Sequence, residues 1–121
     1  MKRLGGIFAM VAVLGLGGCA NDAREYQTPT QLVQAFIDAG GSCDDPAEVP
    51  EAMVGEGAHA TGCFDDGVNM LIVFDAEEQQ NRYIAEVASP DTALISGPRW
   101  VVVTEQADEL ADKMGGEVVR G

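Results

Sequence analysis

The sequence predicts an α+β fold, a small two-layer sandwich in which helices cover one face of a sheet. Amphipathic stripes at helical spacing are interspersed with strand-like apolar runs, and an Asp-Gly turn joins the first two of those runs. The elements follow in the order α-β-β-α-β-α, with a short strand expected at the C-terminal end. A chain of 121 residues has room for one domain with a modest core.

The first helix begins at a capping box. Thr28 precedes Pro29, which suits the first helical position, and Gln31 stands three residues after Thr28. Four apolar residues then recur at one- and four-residue spacing: Leu32, Val33, Phe36 and Ile37. Gly40-Gly41 ends the helix. Its polar positions carry no Lys or Arg, so we expect the stripe to pack on the sheet rather than on a membrane.

Two strands are predicted around an Asp-Gly turn. The runs from His59 to Phe64 and from Val68 to Phe74 flank Asp65-Asp66-Gly67, which is a strong hairpin signal. Because the second run is apolar at both alternating sets of positions, we expect it to be central in its sheet. The stretch before the hairpin, residues 44–57, has no period, which predicts an irregular loop with at most a helical turn around residues 48–53.

The second half of the chain predicts two helices and a buried strand. A helix should start at Asp75, with Glu78 completing a capping box, and run to about Ala88. Its apolar positions are Tyr83, Ile84, Val87 and Ala88. After Gly97-Pro98, the valine-rich run from Arg99 to Thr104 predicts a buried strand. Since a strand, a helix and a strand follow one another, we expect a right-handed crossover between parallel strands.

A third helix closes the predicted order. It starts at Thr104 or Glu105 and ends at Gly115-Gly116, with four apolar residues facing inward: Ala107, Leu110, Ala111 and Met114. The tail from Glu117 to Arg120 is expected to add a short edge strand.

The first 18 residues have the layout of a secretory signal. Met1-Lys2-Arg3 is basic, and an uncharged, mostly apolar run follows as far as Gly18. A membrane-spanning helix needs about 20 apolar residues, whereas this run is shorter and is interrupted by five glycines. Residues 1–18 are therefore predicted to be a cleaved signal peptide.

The end of this signal carries a recognisable motif. Leu16-Gly17-Gly18-Cys19 resembles a lipobox, where a bacterial signal peptidase cuts before a lipid-modified cysteine. By layout and composition, the remainder resembles the small lipoproteins of Gram-positive and especially actinobacterial cells. The resemblance implies that Cys19 carries a diacylglycerol, which meets the need for more than one acyl chain in stable anchoring. Cleavage at an ordinary small-x-small site, with an incidental Cys19, is the alternative.

This resemblance implies a domain plan and a location. Residues 19–27 would be a lipidated tether, and residues 28–121 a single domain. The protein would lie on the extracytoplasmic face of the cell membrane, bound to the lipid bilayer through the acyl chains of Cys19. Its further partner would be an unknown envelope protein or ligand.

The mature chain would be strongly acidic. Removal of residues 1–18 takes away Lys2 and Arg3 and leaves five basic and 20 acidic side chains, a net charge of −15. Nucleic acids and anionic lipids bind through Lys/Arg clusters, so neither is expected on this surface. The acidity favours solubility and separation from neighbouring molecules over a specific basic partner.

The two remaining cysteines predict a disulfide. Cys43 and Cys63 form an even pair in a domain that is expected to be exported. The bridge would close a loop of about 20 residues, for which loop-closure entropy gives roughly 3 kcal/mol of stability. Metal binding by the two cysteines with His59 is the alternative, but the spacing fits no zinc pattern. No metal or cofactor is predicted.

No catalytic residue is predicted. His59 is the single histidine, and no GxSxG motif is present. Three adjacent acid pairs stand where they would cap helices or form turns: Asp44-Asp45, Asp65-Asp66 and Glu77-Glu78. Arg99 and Trp100 form a candidate interaction pair, although a Trp at the head of a valine-rich strand is more typical of a core.

The sequence therefore predicts a non-catalytic binding or accessory module of the cell envelope. An enzyme, specifically an envelope hydrolase using His59 or a carboxylate pair, is the second hypothesis. Weak cation binding by the acidic loop Asp44–Glu56 is the third.

Overall fold

The computed structural model describes residues 23–121, so the predicted signal peptide, the lipobox and Cys19 lie outside the described residues. The mixed α+β class is confirmed. The elements are α1 (Pro29–Asp38), β1 (Ala47–Val49), α2 (Glu51–Val54), β2 (Ala58–Cys63), β3 (Asn69–Phe74), α3 (Glu77–Val87), β4 (Leu94–Gly97), β5 (Trp100–Val103), α4 (Ala107–Met114) and β6 (Glu117–Val119).

The described strands form one antiparallel sheet in the order β1-β2-β3-β5-β4-β6. The predicted hairpin is confirmed, since β2 pairs with β3 in a register that places Cys63 opposite Asn69. Strand β3 has neighbours on both sides, as its two apolar faces predict.

The predicted parallel pairing of the two core strands is wrong. β3 and β5 are antiparallel neighbours, with Ile72 opposite Val101. The chain leaves β3 through α3 and returns along β4, a strand missing from the predicted order, and then turns at Pro98 and Arg99 into β5. The crossover therefore ends in β4, which runs parallel to β3 but is separated from it by β5. Gly97-Pro98 belongs to a tight hairpin turn, not to a break before a strand.

Helices pack on both faces of the sheet, so the predicted two-layer sandwich is only roughly matched. Strand residues alternate between two cores, as the period of a strand requires. Leu71 and Trp100 share one core with α1 and α4, whereas Ile72 and Val101 share the other with α2 and α3. Within the predicted stripe of α1, Leu32, Val33 and Phe36 are buried and Ile37 is partly exposed.

The segment predicted as an irregular loop with at most a helical turn contains a short helix near the predicted turn and a strand that was not predicted. β1 pairs with β2, with Glu48 opposite Thr61, and α2 follows directly after Pro50. The carboxylate of Glu51 accepts a hydrogen bond from the Gly57 amide at 2.8 Å and closes the segment. A three-residue strand and a four-residue helix are too short to show a period in the sequence.

The helix starts are capped, although not always by the predicted residues. At α1, Thr28 Oγ1 accepts a hydrogen bond from the Gln31 amide at 3.2 Å, as predicted. At α3, the predicted box of Asp75 and Glu78 is wrong. Ala76 is the N-cap there, and its amide donates to Gln79 Oε1 at 3.0 Å. Asp75 is thereby free to contact a different residue, His59.

The C-terminal elements follow the predicted order, but α4 begins at Ala107 after the N-cap Gln106, not at the predicted Thr104 or Glu105. All four predicted inward positions of α4 are buried: Ala107, Leu110, Ala111 and Met114. Gly115 ends the helix in the left-handed conformation at φ +80°, which glycine adopts without strain. β6 then pairs with β4 at the edge of the sheet. The Arg120 guanidinium binds Asp108 at 2.6 Å and lowers the pKa of that carboxyl.

Candidate functional site

The described domain has two ends, defined by the ends of its strands. The "segment end" is where residues 24–27 pack on the start of β5, the end of β4 and the C-terminus of α4. The "hairpin end" is the turn between β2 and β3, residues 64–68, together with the disulfide beside it. The register of β2 and β3 places Ala58 and Phe74 at the segment end and Cys63 and Asn69 at the hairpin end.

At the segment end, the residues that the sequence analysis assigned to the tether pack on the domain. The Arg24 amide donates to the Gly115 carbonyl at 3.3 Å, and Trp100 Nε1 donates to the Arg24 carbonyl at 2.7 Å. The Tyr26 hydroxyl donates to the Met114 carbonyl at 2.8 Å, and its ring meets Trp100 edge-on at 5.3 Å. The fixed part of the chain therefore begins by Arg24, before residue 28.

The candidate interaction pair is divided between core and surface. Trp100 is completely buried and contributes its indole to the packing of residues 24–27, in agreement with a core role. Arg99 is half-exposed and lies 3.8 Å from the Glu25 carboxylate. Its φ of +60° makes it the one non-glycine residue with positive φ among residues 23–121. Such backbone is costly for a residue with a side chain, so surrounding contacts must hold it.

The side chain of Gln80 supplies those contacts, although the sequence did not predict Gln80 as a site residue. It is buried, although it stands in a polar stretch of α3. Its Oε1 accepts from the Arg99 amide at 3.0 Å, and its Nε2 lies 2.7 Å from the Gly97 carbonyl and 3.0 Å from the Trp100 carbonyl. A polar residue among polar neighbours gives no signal of burial. The side chain fixes the turn between β4 and β5.

His59 pairs with Asp75 on the surface near this end. His59 Nε2 lies 3.0 Å from Asp75 Oδ1, and both side chains are at least half-exposed. They line a pocket of about 240 Å³ together with Tyr26, Gln27 and Arg99. The described residues that line this pocket include no Ser, Thr or Cys. His59 also lines a second pocket of about 620 Å³, where Thr30 and Thr61 are the hydroxyl side chains. The Asp75 carboxylate is placed to orient the imidazole.

A wider cleft of about 680 Å³ lies between α3, α4 and β6. Ala23 lines it, and so do four acidic residues: Glu77, Asp108, Asp112 and Glu117. This lining disfavours an anionic ligand.

At the hairpin end, the predicted disulfide between Cys43 and Cys63 is confirmed, with a Cα–Cα distance of 5.0 Å. Both cysteines are buried. The bridge joins the loop after α1 to the last residue of β2, and so it fixes the base of the hairpin turn. The alternative of a zinc site with His59 is wrong, because the two sulfurs are bonded to each other.

Polar contacts fix the turn itself. The Asp65 carboxylate accepts from Ser42 Oγ at 2.8 Å and from the Asp44 amide at 3.2 Å. The Ser42 hydrogen bond is the main cause of the lowered pKa of Asp65. Buried Asn69 donates to the Cys63 carbonyl at 3.1 Å and accepts from Thr104 Oγ1 at 2.6 Å.

Among residues 23–121, the acidic side chains are not grouped as metal ligands. Within residues 23–121, no group of three or more His, Cys, Asp or Glu side chains is placed to hold a metal ion. Over the same residues, no helix has the length and apolar character to cross a bilayer.

Comparison with known proteins gives no relative. No protein-family model matches the chain, and neither the curated proteins nor the solved structures gave a match.

Proposed function

We propose that this chain is a lipoprotein, anchored through Cys19 on the extracytoplasmic face of the cell membrane, and that it serves as a non-catalytic binding or accessory module of the envelope. The observation that carries the proposal is the motif Leu16-Gly17-Gly18-Cys19 behind a basic start and an apolar run. The bridge between Cys43 and Cys63 supports it, because structural disulfides persist in oxidising compartments outside the cytosol.

Because residues 24–27 pack on the domain, a lipid anchor at Cys19 would determine which end of the domain lies near the bilayer. Five residue steps separate Cys19 from Arg24, and a fully extended chain covers about 17 Å over that distance. Because Arg24 is fixed to Gly115 and Trp100, the anchor would hold the segment end close to the bilayer. The hairpin end lies one six-residue strand, about 20 Å, from the segment end.

One candidate acid pair has a structural role, which favours binding over catalysis. Asp65 of the pair Asp65-Asp66 accepts hydrogen bonds from Ser42 and from the Asp44 amide, and so it fixes the hairpin turn. The surface left for recognition is acidic and, at the hairpin end, partly apolar.

Intact mass spectrometry of the protein from host membranes tests the anchor. We expect a mass that starts at Cys19 and includes lipid, with two further thiols alkylated only after reduction. Cys19→Ala is the matched control and should lose the lipid mass while keeping the disulfide. A soluble, unlipidated wild-type protein would contradict the proposal.

An envelope hydrolase is the second candidate, because His59 and Asp75 are in contact. If the protein is a hydrolase, cells that carry the His59→Ala gene should lose the phenotype that the wild-type gene confers. The melting temperature of the variant should be nearly unchanged, since the His59 side chain is half-exposed. A fully functional His59→Ala protein would count against the hydrolase.

A further inference from the structure

The hairpin end displays an exposed apolar pair. Phe64 and Val68 are 51% and 63% exposed. They directly follow and precede the last pair of the hairpin, Cys63 opposite Asn69, so extending that register by one residue brings them to facing positions at the turn. Gly62 lies beneath the Phe64 ring, where any side chain would collide with that ring. The ring therefore lies against β2, and the apolar surface continues to half-buried Met70, opposite Gly62.

This pair is held in place before any partner arrives. The Cys43–Cys63 bridge fixes the residue before Phe64, and the residue after it, Asp65, binds Ser42 and the Asp44 amide. Asn69, next to Val68, is buried and bound to Cys63 and Thr104. An aromatic group that is already ordered loses little conformational entropy on binding, which favours affinity.

The charges around the pair indicate what can cover it. Asp65 and Asp66 lie in the turn, and Asp44 and Asp45 lie beside it in the disulfide loop. No Lys or Arg occurs in residues 42–47 or 62–70. Like charges repel at close range, so a second copy and an anionic lipid surface are both disfavoured. A protein surface with Lys or Arg around an apolar pocket is complementary. The overall acidity alone did not favour a specific basic partner, but the exposed apolar side chains of Phe64 and Val68 among the carboxylates do.

We propose that Phe64 and Val68 are the docking surface for such a protein, with the pair entering an apolar pocket and the neighbouring carboxylates facing its basic rim. The inference rests on the proposed function, because an anchor at Cys19 directs the hairpin end away from the bilayer and toward other envelope proteins. Exposed aromatic side chains that fill a partner's pocket commonly dominate the binding energy of an interface.

Site-specific photo-crosslinking in the host tests the proposal on the full-length chain. p-Benzoylphenylalanine replaces Phe64, and the control places it at Met53, which is more exposed (75%) and lies on α2. We expect a protein adduct from position 64 at least about tenfold stronger than from position 53. Peptide mapping should place the link in an apolar stretch flanked by Lys or Arg.

A matched pair of charge substitutions sharpens this test. Val68→Asp should reduce the adduct at position 64 by about tenfold or more. Met53→Asp also places a carboxylate at an exposed apolar position, and it should not reduce that adduct. The melting temperature and the alkylation pattern of Cys43 and Cys63 show whether each variant is folded. An adduct that persists in folded Val68→Asp protein would overturn the proposal.

Other outcomes separate the docking surface from the anchor. An adduct with a second copy, an adduct with lipid, or a yield no greater than at Met53 would overturn the docking surface even if the mass shows lipid on Cys19. A specific adduct from a chain whose mass lacks lipid would support the docking surface and contradict only the anchor.

Discussion

The two ends of the domain are stabilised by different kinds of bond. At the segment end, the chain is held by hydrogen bonds and aromatic packing around Trp100, and by the buried amide of Gln80. At the hairpin end, a covalent bridge and the Asp65 carboxylate fix an exposed turn. The segment end is thus held by buried non-covalent contacts, whereas the exposed turn at the other end is held beside a covalent cross-link, which restricts the unfolded chain.

The largest effect should come from removing the bridge. The double substitution Cys43→Ala with Cys63→Ala should lower the free energy of unfolding by about 3 kcal/mol, because the unfolded chain gains the freedom of the open loop. Urea denaturation measures the loss, and hydrogen exchange should increase most at residues 64–68.

Emission from Trp100, the single tryptophan, provides the control for this variant. Its buried environment lies at the segment end, so its wavelength should not change in the folded double variant. A red shift would show that the two ends are not independent.

The next largest loss of stability is expected from a substitution at the segment end. Gln80→Ala should cost about 2 kcal/mol, because the Arg99 amide and the Gly97 and Trp100 carbonyls lose a buried partner. Gln34→Ala, on the exposed face of α1, should change the free energy of unfolding by less than about 0.5 kcal/mol. Equal costs for the two variants would contradict the structural role assigned to Gln80.

A smaller effect is expected from the strained turn. Arg99→Gly should be about 1 kcal/mol more stable than Arg99→Ala, since glycine adopts a φ of +60° without the clash of a Cβ atom. Both variants lack the contact with Glu25, so the difference between their melting temperatures reports the cost of the positive φ at residue 99. A more stable alanine variant would show that the turn is not strained.

The smallest effect is a pH dependence at the hairpin end. The Ser42 hydrogen bond lowers the pKa of Asp65 below 3.8, so its stabilising contribution is present above that pH and is lost as the pH falls through the lower folded value. Ser42→Ala should therefore melt slightly below the wild type at pH 7, and the gap should narrow as the pH falls below the ordinary range of a carboxyl group. A gap that stays constant down to the lowest pH at which both proteins are folded would mean that ionised Asp65 is not its source.

Local signals predicted much of this fold. The N-cap and stripe of α1, the stripe and C-terminal glycine of α4 and the Asp-Gly hairpin are each encoded by residues close together in the sequence, and the structure confirms them. The disulfide, whose cysteines are 20 residues apart, was predicted from the even number of cysteines left after Cys19 and is also confirmed. β4 was missed because its turn places positive φ on Arg99, a position where sequence rules expect glycine. That omission also produced the wrong parallel pairing.

The site residues were harder to predict, because they depend on distant contacts. The burial of Gln80 and the pairing of His59 with Asp75 join residues 16 to 20 positions apart, and neither leaves a pattern in the local sequence. The exposure of Phe64 was equally hidden, since an aromatic residue at the end of a strand is ordinarily expected to be buried.

The orientation of the domain on its membrane tests the account most directly. A dye placed through an encoded amino acid at exposed Lys113, at the segment end, or at exposed Asp66, at the hairpin end, leaves the cysteines untouched. Energy transfer to acceptors in the lipid headgroups should be clearly stronger from position 113 in the full-length, membrane-bound protein. Equal transfer, or stronger transfer from position 66, would contradict an anchor that holds the segment end against the bilayer.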